Sequence, residues 1–156
     1  MVEIDERAKA VLEEALEAIG GRKRLAKVQD LTIHAEYKTF KDTIRYRAPN
    51  RIARESDFPW ARVRIGYDGL HSWHTDAEGR LVEEGEVRIP AVQWLFHRIE
   101  TLLLLPLYES AEKIEHLGRR NINYFENGEM AKKPADVLRV TFKDGWVFRL
   151  YVAREG

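Results

Sequence analysis

The five histidines are the first residues of this sequence to consider as metal ligands. His71 and His74 lie three positions apart on a predicted strand, where side chains alternate between faces, so their imidazoles point in opposite directions. His97 and Glu100 are spaced i, i+3 on a predicted helix and share one face, but a metal site between helices needs further inward carboxylates. The other two histidines are isolated in the sequence. We therefore predict no metal site and no cofactor.

Nucleophilic catalysis leaves no signature in the sequence either. There is no cysteine, and Ser56, Ser72 and Ser110 all lie outside any Gly-x-Ser-x-Gly turn. No glycine-rich phosphate loop is present, and Gly20-Gly21 is better explained as the end of a helix. An enzyme that works through buried carboxylates or histidine leaves no local motif, so that class stays open as a third hypothesis. We predict that the protein is not an enzyme.

Composition and charge exclude further classes of protein. The 26 basic and 26 acidic residues cancel, whereas nucleic-acid binders usually carry a basic excess, so no nucleic-acid partner is predicted. The content of Glu, Arg and Lys, with only two Met, fits a thermophilic source. The longest apolar run, Leu102 to Tyr108, is far shorter than the ~20 residues of a membrane-spanning helix. The 156 residues are predicted to form one domain, residues 1–156, that does not span a membrane.

Two segments have the pattern of helices. Ile4, Ala8 and Val11 belong to one apolar stripe that continues to Ile19, and Asp5 is a suitable N-cap for this first helix. The second helix is predicted from residue 90 toward residue 105, because its proline fits a first helical turn and a second proline at 106 ends or kinks it. This central helix is apolar on nearly all sides, which is typical of a helix that is buried or covers an apolar cavity.

Between and after these helices, hydrophobicity alternates with the period of two that indicates strands. The clearest case is the segment from Arg62 to Trp73, in which Val63, Ile65 and Tyr67 alternate with Arg or Gly and Asp68-Gly69 supplies a tight turn. Strands joined by such short connections form an antiparallel meander. The predicted fold class is α+β: a single curved antiparallel β-sheet, an unclosed half-barrel, wrapped around the N-terminal helix and the central apolar helix.

A curved sheet and an apolar helix enclose either a packed core or a cavity that a ligand fills, and the sequence leaves both alternatives open. Aromatic and aliphatic side chains supply the candidates for the walls of such a cavity. The predicted ligand-binding residues are Tyr67, Trp73, Trp94, Phe96, Ile99, Leu103, Trp146 and Phe148.

A series of short motifs extends along most of the chain. The opening helix ends in Ala18-Ile19-Gly20-Gly21, and Val28-Gln-Asp-Leu-Thr-Ile33 leads into the first strand. A basic strand pair, Tyr46-Arg-Ala-Pro-Asn-Arg-Ile-Ala-Arg-Glu55, precedes Tyr67-Asp-Gly-Leu-His-Ser-Trp73, which is similar to a family motif Y-D-G-x-x-x-W. The closing hairpin is Val140-Thr-Phe-Lys-Asp-Gly-Trp-Val-Phe-Arg-Leu-Tyr151. In this order of features the chain resembles the LolA/LolB-like lipoprotein-carrier superfamily, which includes bacterial lipoproteins.

The resemblance implies a half-barrel around helices that cap a hydrophobic cavity, in which acyl chains of lipoproteins or other lipids are held without catalysis. None of the family's ligand residues matches this chain residue by residue, so none is transferred to it. Family members are normally exported, and this chain begins at its first helix without an export signal. The expected location is the cytoplasm for the chain as given, or the periplasm and cell envelope if a signal peptide precedes it.

Two hypotheses for the function follow. The first is non-enzymatic binding or carriage of a hydrophobic ligand, acyl, lipid or lipoprotein-type, in the cavity between the curved sheet and the apolar helix. The alternative is a protein-interaction module with a filled core. Its working surface would be an exposed, arginine-rich sheet face that includes Arg47, Arg62 and Arg64.

Overall fold

The computed structural model describes residues 1–76, 78–85 and 88–153, with the backbone alone described at Glu84. These residues form two compact units: the first unit comprises residues 1–26 and 100–153, and the second unit comprises residues 27–99. That the chain behaves as one domain, as its sequence predicts, stays a prediction. In chain order the elements are β1 (Glu3–Ile4), α1 (Glu6–Ala18), α2 (Arg22–Leu25), β2 (Asp30–Glu36), β3 (Lys41–Arg47), β4 (Arg51–Asp57), β5 (Arg62–Tyr67), β6 (Ser72–Thr75), β7 (Leu81–Gly85), α3 (Pro90–Leu103), α4 (Leu107–Ser110), β8 (Ala111–Glu126), β9 (Glu129–Phe142) and β10 (Val147–Ala153).

The strands form two open sheets, so the predicted single curved sheet is wrong, while the α+β class is confirmed. The first unit holds a four-stranded sheet in the order β1-β8-β9-β10, and the second unit holds a six-stranded meander in which β2 to β7 follow in sequence. The physical reason lies in β8. One of its edges pairs with β9 and the other pairs with β1 in parallel near its start. Helices α3 and α4 interrupt the run of strands after β7, and β8 then pairs with β9 and, at Lys113 and Ile114, with β1, so the strands after the helices form a ladder of their own.

The first unit buries an aliphatic core between α1 and its sheet. Leu12 and Leu16 of α1 are fully buried in one cluster with Ile114 of β8 and Val140 of β9. The predicted apolar stripe of α1 is confirmed except at its end, where Ile19 is 45% exposed because the helix stops one residue before it. Leu16 takes the buried place in the last turn.

Asp5 starts α1 and also fixes it to the sheet. Its Oδ1 accepts a hydrogen bond from the N–H of Ala8 at 2.7 Å, as predicted for an N-cap, and its Oδ2 accepts one from the N–H of His116 at 2.8 Å. Burial of the carboxylate works against its charge. The two hydrogen bonds and the nearby His116 outweigh that effect and hold the pKa of Asp5 below its usual value.

Three polar side chains join the helices of the first unit. The Tyr108 hydroxyl donates to Glu13 Oε1 at 2.6 Å, Arg22 donates to the same oxygen, and the guanidinium of Arg22 lies 4.7 Å from the centroid of the Tyr108 ring. Burial, and then the hydrogen bond to the Glu13 carboxylate, raise the pKa of Tyr108 to about 12. The same two donors, Tyr108 first and then Arg22, lower the pKa of Glu13.

In the second unit, one face of the meander is apolar and meets α3. Residues paired across antiparallel strands share a face, and Ile52 pairs with both Tyr46 and Tyr67. The ring of Phe96 on α3 meets the Tyr46 and Tyr67 rings edge-on, with centroids 6.3 and 6.1 Å apart. We call this the inner face of the sheet, and the opposite one the outer face.

Candidate functional site

The first unit has an apolar groove of about 610 Å³ between α1 and β10, which we call the helix–strand groove. Its lining residues are Val11, Glu14, Ala15, Ala18, Ile19, Val152 and Ala153. Val11 is buried and forms the floor, whereas the half-exposed Ile19 stands at the rim. Among these residues Glu14 alone is charged. Its described lining therefore combines aliphatic side chains with polar surface that includes the Glu14 carboxylate.

The sequence of α1 explains why this groove exists. Val11, Ala15 and Ala18 fall at i, i+4 and i+7, so they lie on one face of the helix. Two of the three are alanines, whose short side chains leave the space open. The facing strand β10 is the edge of its sheet and pairs only with β9, so within the described residues no further strand fills the space beside it.

The outer face of the second unit's sheet carries a second hollow. Cross-strand pairing aligns Thr32, Arg45, Ala53, Gly66 and Trp73 in one row from β2 to β6. The flanking rows are Asp30, Arg47 and Arg51 on one side and His34, Thr43, Glu55 and Arg64 on the other. Ala53, in the middle of the central row, has a short side chain, and the space above its neighbour Gly66 is taken by the Trp73 indole. Hollows of about 430 and 300 Å³ both border on Arg45, Ala53 and Trp73, and we call them together the Trp73 trough.

Gly66 sets the position of the Trp73 indole. A Cβ atom at Gly66 would lie 2.5 Å from Cζ2 and 2.7 Å from Cε2 of that indole, and 2.8 Å from the carbonyl oxygen of Ile52. Only glycine leaves this space, because any side chain would displace the ring. Gly66 and Tyr67 are neighbours on β5 and face opposite ways. Trp73 therefore lies on the outer face, opposite to Tyr67.

The arginines named by the interaction hypothesis are all in ion pairs. Arg47 donates to Asp30 at 2.8 Å, and Arg64 donates to Glu55 at 2.8 Å. Arg62 lies 3.7 Å from an oxygen of Glu55 and 3.7 Å from one of Asp57. Much of the positive charge on this face is therefore compensated within the face itself.

Two other arginines on the outer face keep their charge uncompensated. Within residues 1–76, 78–85 and 88–153, Arg45 and Arg51 take part in no ion pair and no side-chain hydrogen bond. Asp68, which also borders the trough, accepts hydrogen bonds from the backbone N–H groups of His71 and Leu70, and these bonds lower its pKa. That carboxylate stays ionised. The described lining of the larger hollow holds three arginines and two aspartates, so it keeps one net positive charge.

A stack of four aromatic rings lies at one end of the second unit's sheet. Its centroid distances are 4.5 Å from Tyr37 to Phe40, 4.8 Å from Phe40 to Phe58 and 5.3 Å from Phe58 to Trp60. The rings come from the β2–β3 and β4–β5 connections, and Trp60 is 76% exposed. The stack is thus built from two neighbouring hairpin tips.

The structure brings some of the predicted cavity residues together. The Tyr67 and Phe96 rings meet edge-on, and the guanidinium of Arg88 lies 4.0 Å from the Phe96 centroid and 5.3 Å from the Tyr67 centroid. Ile99 is almost completely buried. These three predicted residues belong to the second unit, with Phe96 and Ile99 on α3 and Tyr67 on β5.

The remaining predicted residues lie apart from this group. Trp94 is half-buried, with the Arg98 guanidinium 5.5 Å from its ring centroid. The rings of Trp146 and Phe148 pack edge-on against each other, with centroids 6.3 Å apart, and against the core of the first unit. Leu103 also lies in the first unit. The eight candidates are therefore divided between two units and two sheet faces, and their ligand-binding role stays a prediction.

Two buried carboxylates take part in hydrogen-bond networks. Asp42 on the inner face accepts hydrogen bonds from Ser56 Oγ and Arg54 Nη2, each at 2.6 Å. Asp136 lies 2.8 Å from Nε2 of His116. Such satisfied groups stabilise a fold. Among the described residues, no group of three or more His, Cys, Asp or Glu could hold a metal ion.

The fold gives no direct indication of a known protein. Comparison with protein-family models, curated proteins and solved structures found no match. In the described part of the chain, no helix is both long and apolar enough to cross a membrane.

Sequence reasoning missed both hollows, although each has a local signal. In α1, Ala15 and Ala18 are small residues within an otherwise bulky apolar stripe. In β4 and β5, Ala53 and Gly66 interrupt runs of arginine, and glycine inside a strand indicates close approach by another group.

Proposed function

We propose that this protein binds a hydrophobic, acyl-type ligand without catalysing a reaction, and that the helix–strand groove holds it. The observation that supports this proposal is the apolar lining of about 610 Å³ between α1 and β10. Small-molecule sites usually measure about 300–1,000 Å³ and are mostly apolar. A carrier role for such a ligand is what the resemblance of the sequence to lipoprotein carriers implies.

The size of the groove sets the expected affinity. Each buried methylene contributes about 0.8 kcal/mol, so a chain of about fifteen methylenes contributes about 12 kcal/mol. Loss of motion on association costs at least about 4 kcal/mol. The difference of about 8 kcal/mol corresponds to a dissociation constant near 1 μM.

Calorimetric titration with monopalmitoylglycerol tests the proposal. The expected dissociation constant for the unaltered protein is in the micromolar range. Ala18→Phe places a ring in the groove at an exposed helix position, and is expected to weaken binding at least tenfold.

Ala10→Phe is the matched control, because Ala10 is an exposed position on the same helix outside the groove lining. It should leave the affinity unchanged. Absence of binding by the unaltered protein, or equal binding by the Ala18→Phe variant with an unchanged circular dichroism spectrum, would overturn the proposal.

A further inference from the structure

The Trp73 trough combines an aromatic surface with uncompensated positive charge. Trp73 borders both hollows, and its indole rests against Gly66, which holds the ring low on the sheet. Ala53 presents only a methyl group beside it. A flat ring can therefore lie on the sheet here and contact the indole, an arrangement in which aromatic pairs attract each other.

The guanidinium groups beside this surface favour an anion. Arg47 and Arg51 are register partners, and like charges directly opposite each other destabilise a sheet. Asp30 compensates Arg47, but Arg45 and Arg51 find no carboxylate partner among the described residues. Arg45 and Arg51 are diagonal neighbours on β3 and β4, so a ligand carboxylate or phosphate between them would offset their positive charge and form charge-assisted hydrogen bonds.

The volume of the trough fits a small ligand rather than a protein partner. Its larger hollow measures about 430 Å³ and its smaller one about 300 Å³. The charged side chains around it are mainly paired with one another, as the Arg47–Asp30 and Arg64–Glu55 pairs show. Among the described residues around the trough, the positive charge that no carboxylate pairs with is thus confined to Arg45 and Arg51 at its edge.

We propose that the Trp73 trough binds a small aromatic anion, whose ring stacks on Trp73 and whose carboxylate or phosphate is held by Arg45 and Arg51. This site lies in the second unit and does not depend on the acyl ligand of the first unit. The cationic and aromatic contacts act together, so neither a bare ring nor a bare anion binds as well as their combination.

Titration calorimetry with two probes tests the proposal: adenosine 5′-monophosphate for the phosphate class and 1-naphthoate for the carboxylate class. At least one is expected to bind with a submillimolar dissociation constant that weakens as salt is added. Adenosine and inorganic phosphate, the two halves of the first probe, should each bind at least tenfold more weakly. Failure of both probes to bind below 1 mM would overturn the proposal.

Variants locate the site. Arg45 and Arg51 are exposed and have no described ion pair to lose, so Arg45→Ala and Arg51→Ala should fold and each weaken probe binding at least tenfold. Trp73→Leu should weaken it similarly, and Trp73→Phe should recover part of the loss. Arg149→Ala is the matched control, since it removes an exposed strand arginine of the first unit.

Two outcomes separate this site from the helix–strand groove. Ala18→Phe should leave probe binding intact while it blocks monopalmitoylglycerol, and Arg45→Ala should do the reverse. Unchanged probe binding by the Arg45→Ala/Arg51→Ala double variant would place the probe elsewhere and contradict the assignment.

Discussion

The two units cover their sheets to different depths. In the first unit, consecutive core positions of β8 and β9 are completely buried, Ile114, Leu138 and Val140 among them. In the second unit, burial of the inner face is uneven: Ile44 and Ile52 are buried, whereas Ile65 and Tyr46 are partly exposed although they show the same alternation. Period-two alternation therefore identifies the faces of a strand, but how deeply a face is buried depends on what packs against it.

Their hollows differ in the same way. The helix–strand groove is apolar because small residues interrupt a helix stripe next to an edge strand. The Trp73 trough is cationic because small residues interrupt an arginine-bearing strand face. Small residues thus accompany a hollow in both units, and the side chains around each hollow decide which kind of ligand it suits.

The largest expected effect on stability comes from replacing an isoleucine with alanine, once in each unit. Ile114→Ala, at a fully buried position of the first unit, is expected to lower the free energy of unfolding by about 4 kcal/mol. Ile65→Ala, at a half-buried position of the second unit, should cost about 2 kcal/mol, because less surface is lost. Urea denaturation measures both. Equal losses in the free energy of unfolding would show that the difference in burial between the two positions does not affect stability.

Gly66→Ala is expected to have the next largest effect. Its Cβ would lie 2.5 Å from the Trp73 indole and 2.8 Å from the Ile52 carbonyl oxygen, so the ring and backbone must shift at a cost of about 2 kcal/mol. Urea denaturation and tryptophan fluorescence report the change. Adding Trp73→Ala should recover part of the loss, since the contact with Ile52 persists. No loss of stability would contradict the close packing of the trough floor.

Asp5→Ala removes the cap of α1 and the hydrogen bond to His116, and should cost about 1.5 kcal/mol at pH 7. Because the folded-state pKa of Asp5 is lowered, its stabilising charge is fully present above the unfolded value of about 3.9 and is lost as pH falls through the folded value. Denaturation series at pH 7 and near pH 2.5 check this. The difference between the unaltered protein and Asp5→Asn should shrink at the lower pH, and a constant difference would exclude a role for the charge.

Tyr108→Phe should have the smallest effect, about 1 kcal/mol, through loss of the hydrogen bond to Glu13. The pKa of Tyr108 is raised to about 12, so its contribution is complete below the unfolded value of about 10 and is lost as pH rises toward 12. Thermal denaturation across that window should therefore show convergence of the two proteins. Tyr151→Phe, at an exposed tyrosine of β10, serves as the control and should leave stability unchanged.

Local signals made the helices and hairpins predictable from the sequence. The N-cap at Asp5 and the proline that opens α3 act through neighbouring residues, and both occur in the structure. The hairpin predicted at Asp68-Gly69 also occurs, but its connection has four residues, 68–71, because Tyr67 pairs with Ser72. The division into two sheets was not predictable in this way. It depends on β1, a strand of two residues whose parallel pairing with β8 spans most of the chain. Such pairing leaves no periodic pattern.

The face of Trp73 shows a different kind of failure. The prediction grouped Trp73 with the cavity residues because it is aromatic. The observed pairing of Tyr67 with Ser72 places Trp73 opposite Gly66, and a two-residue turn at Asp68-Gly69 would also have placed it on the arginine face. The face of Trp73 could therefore have been predicted from the number of residues in the turn, whereas its aromatic character suggested the other face. The groove and trough themselves require three-dimensional spacing that the sequence does not contain.

The four-ring stack from Tyr37 to Trp60 has an optical consequence. Stacked rings at centroid distances of 4.5 to 5.3 Å are held in a fixed asymmetric arrangement, which gives the near-ultraviolet circular dichroism that is lost when tertiary packing is lost. Trp60, at 76% exposure, is also open to a collisional quencher in water. The two hairpin tips thus carry a built-in chromophore that reports their mutual order without any added label.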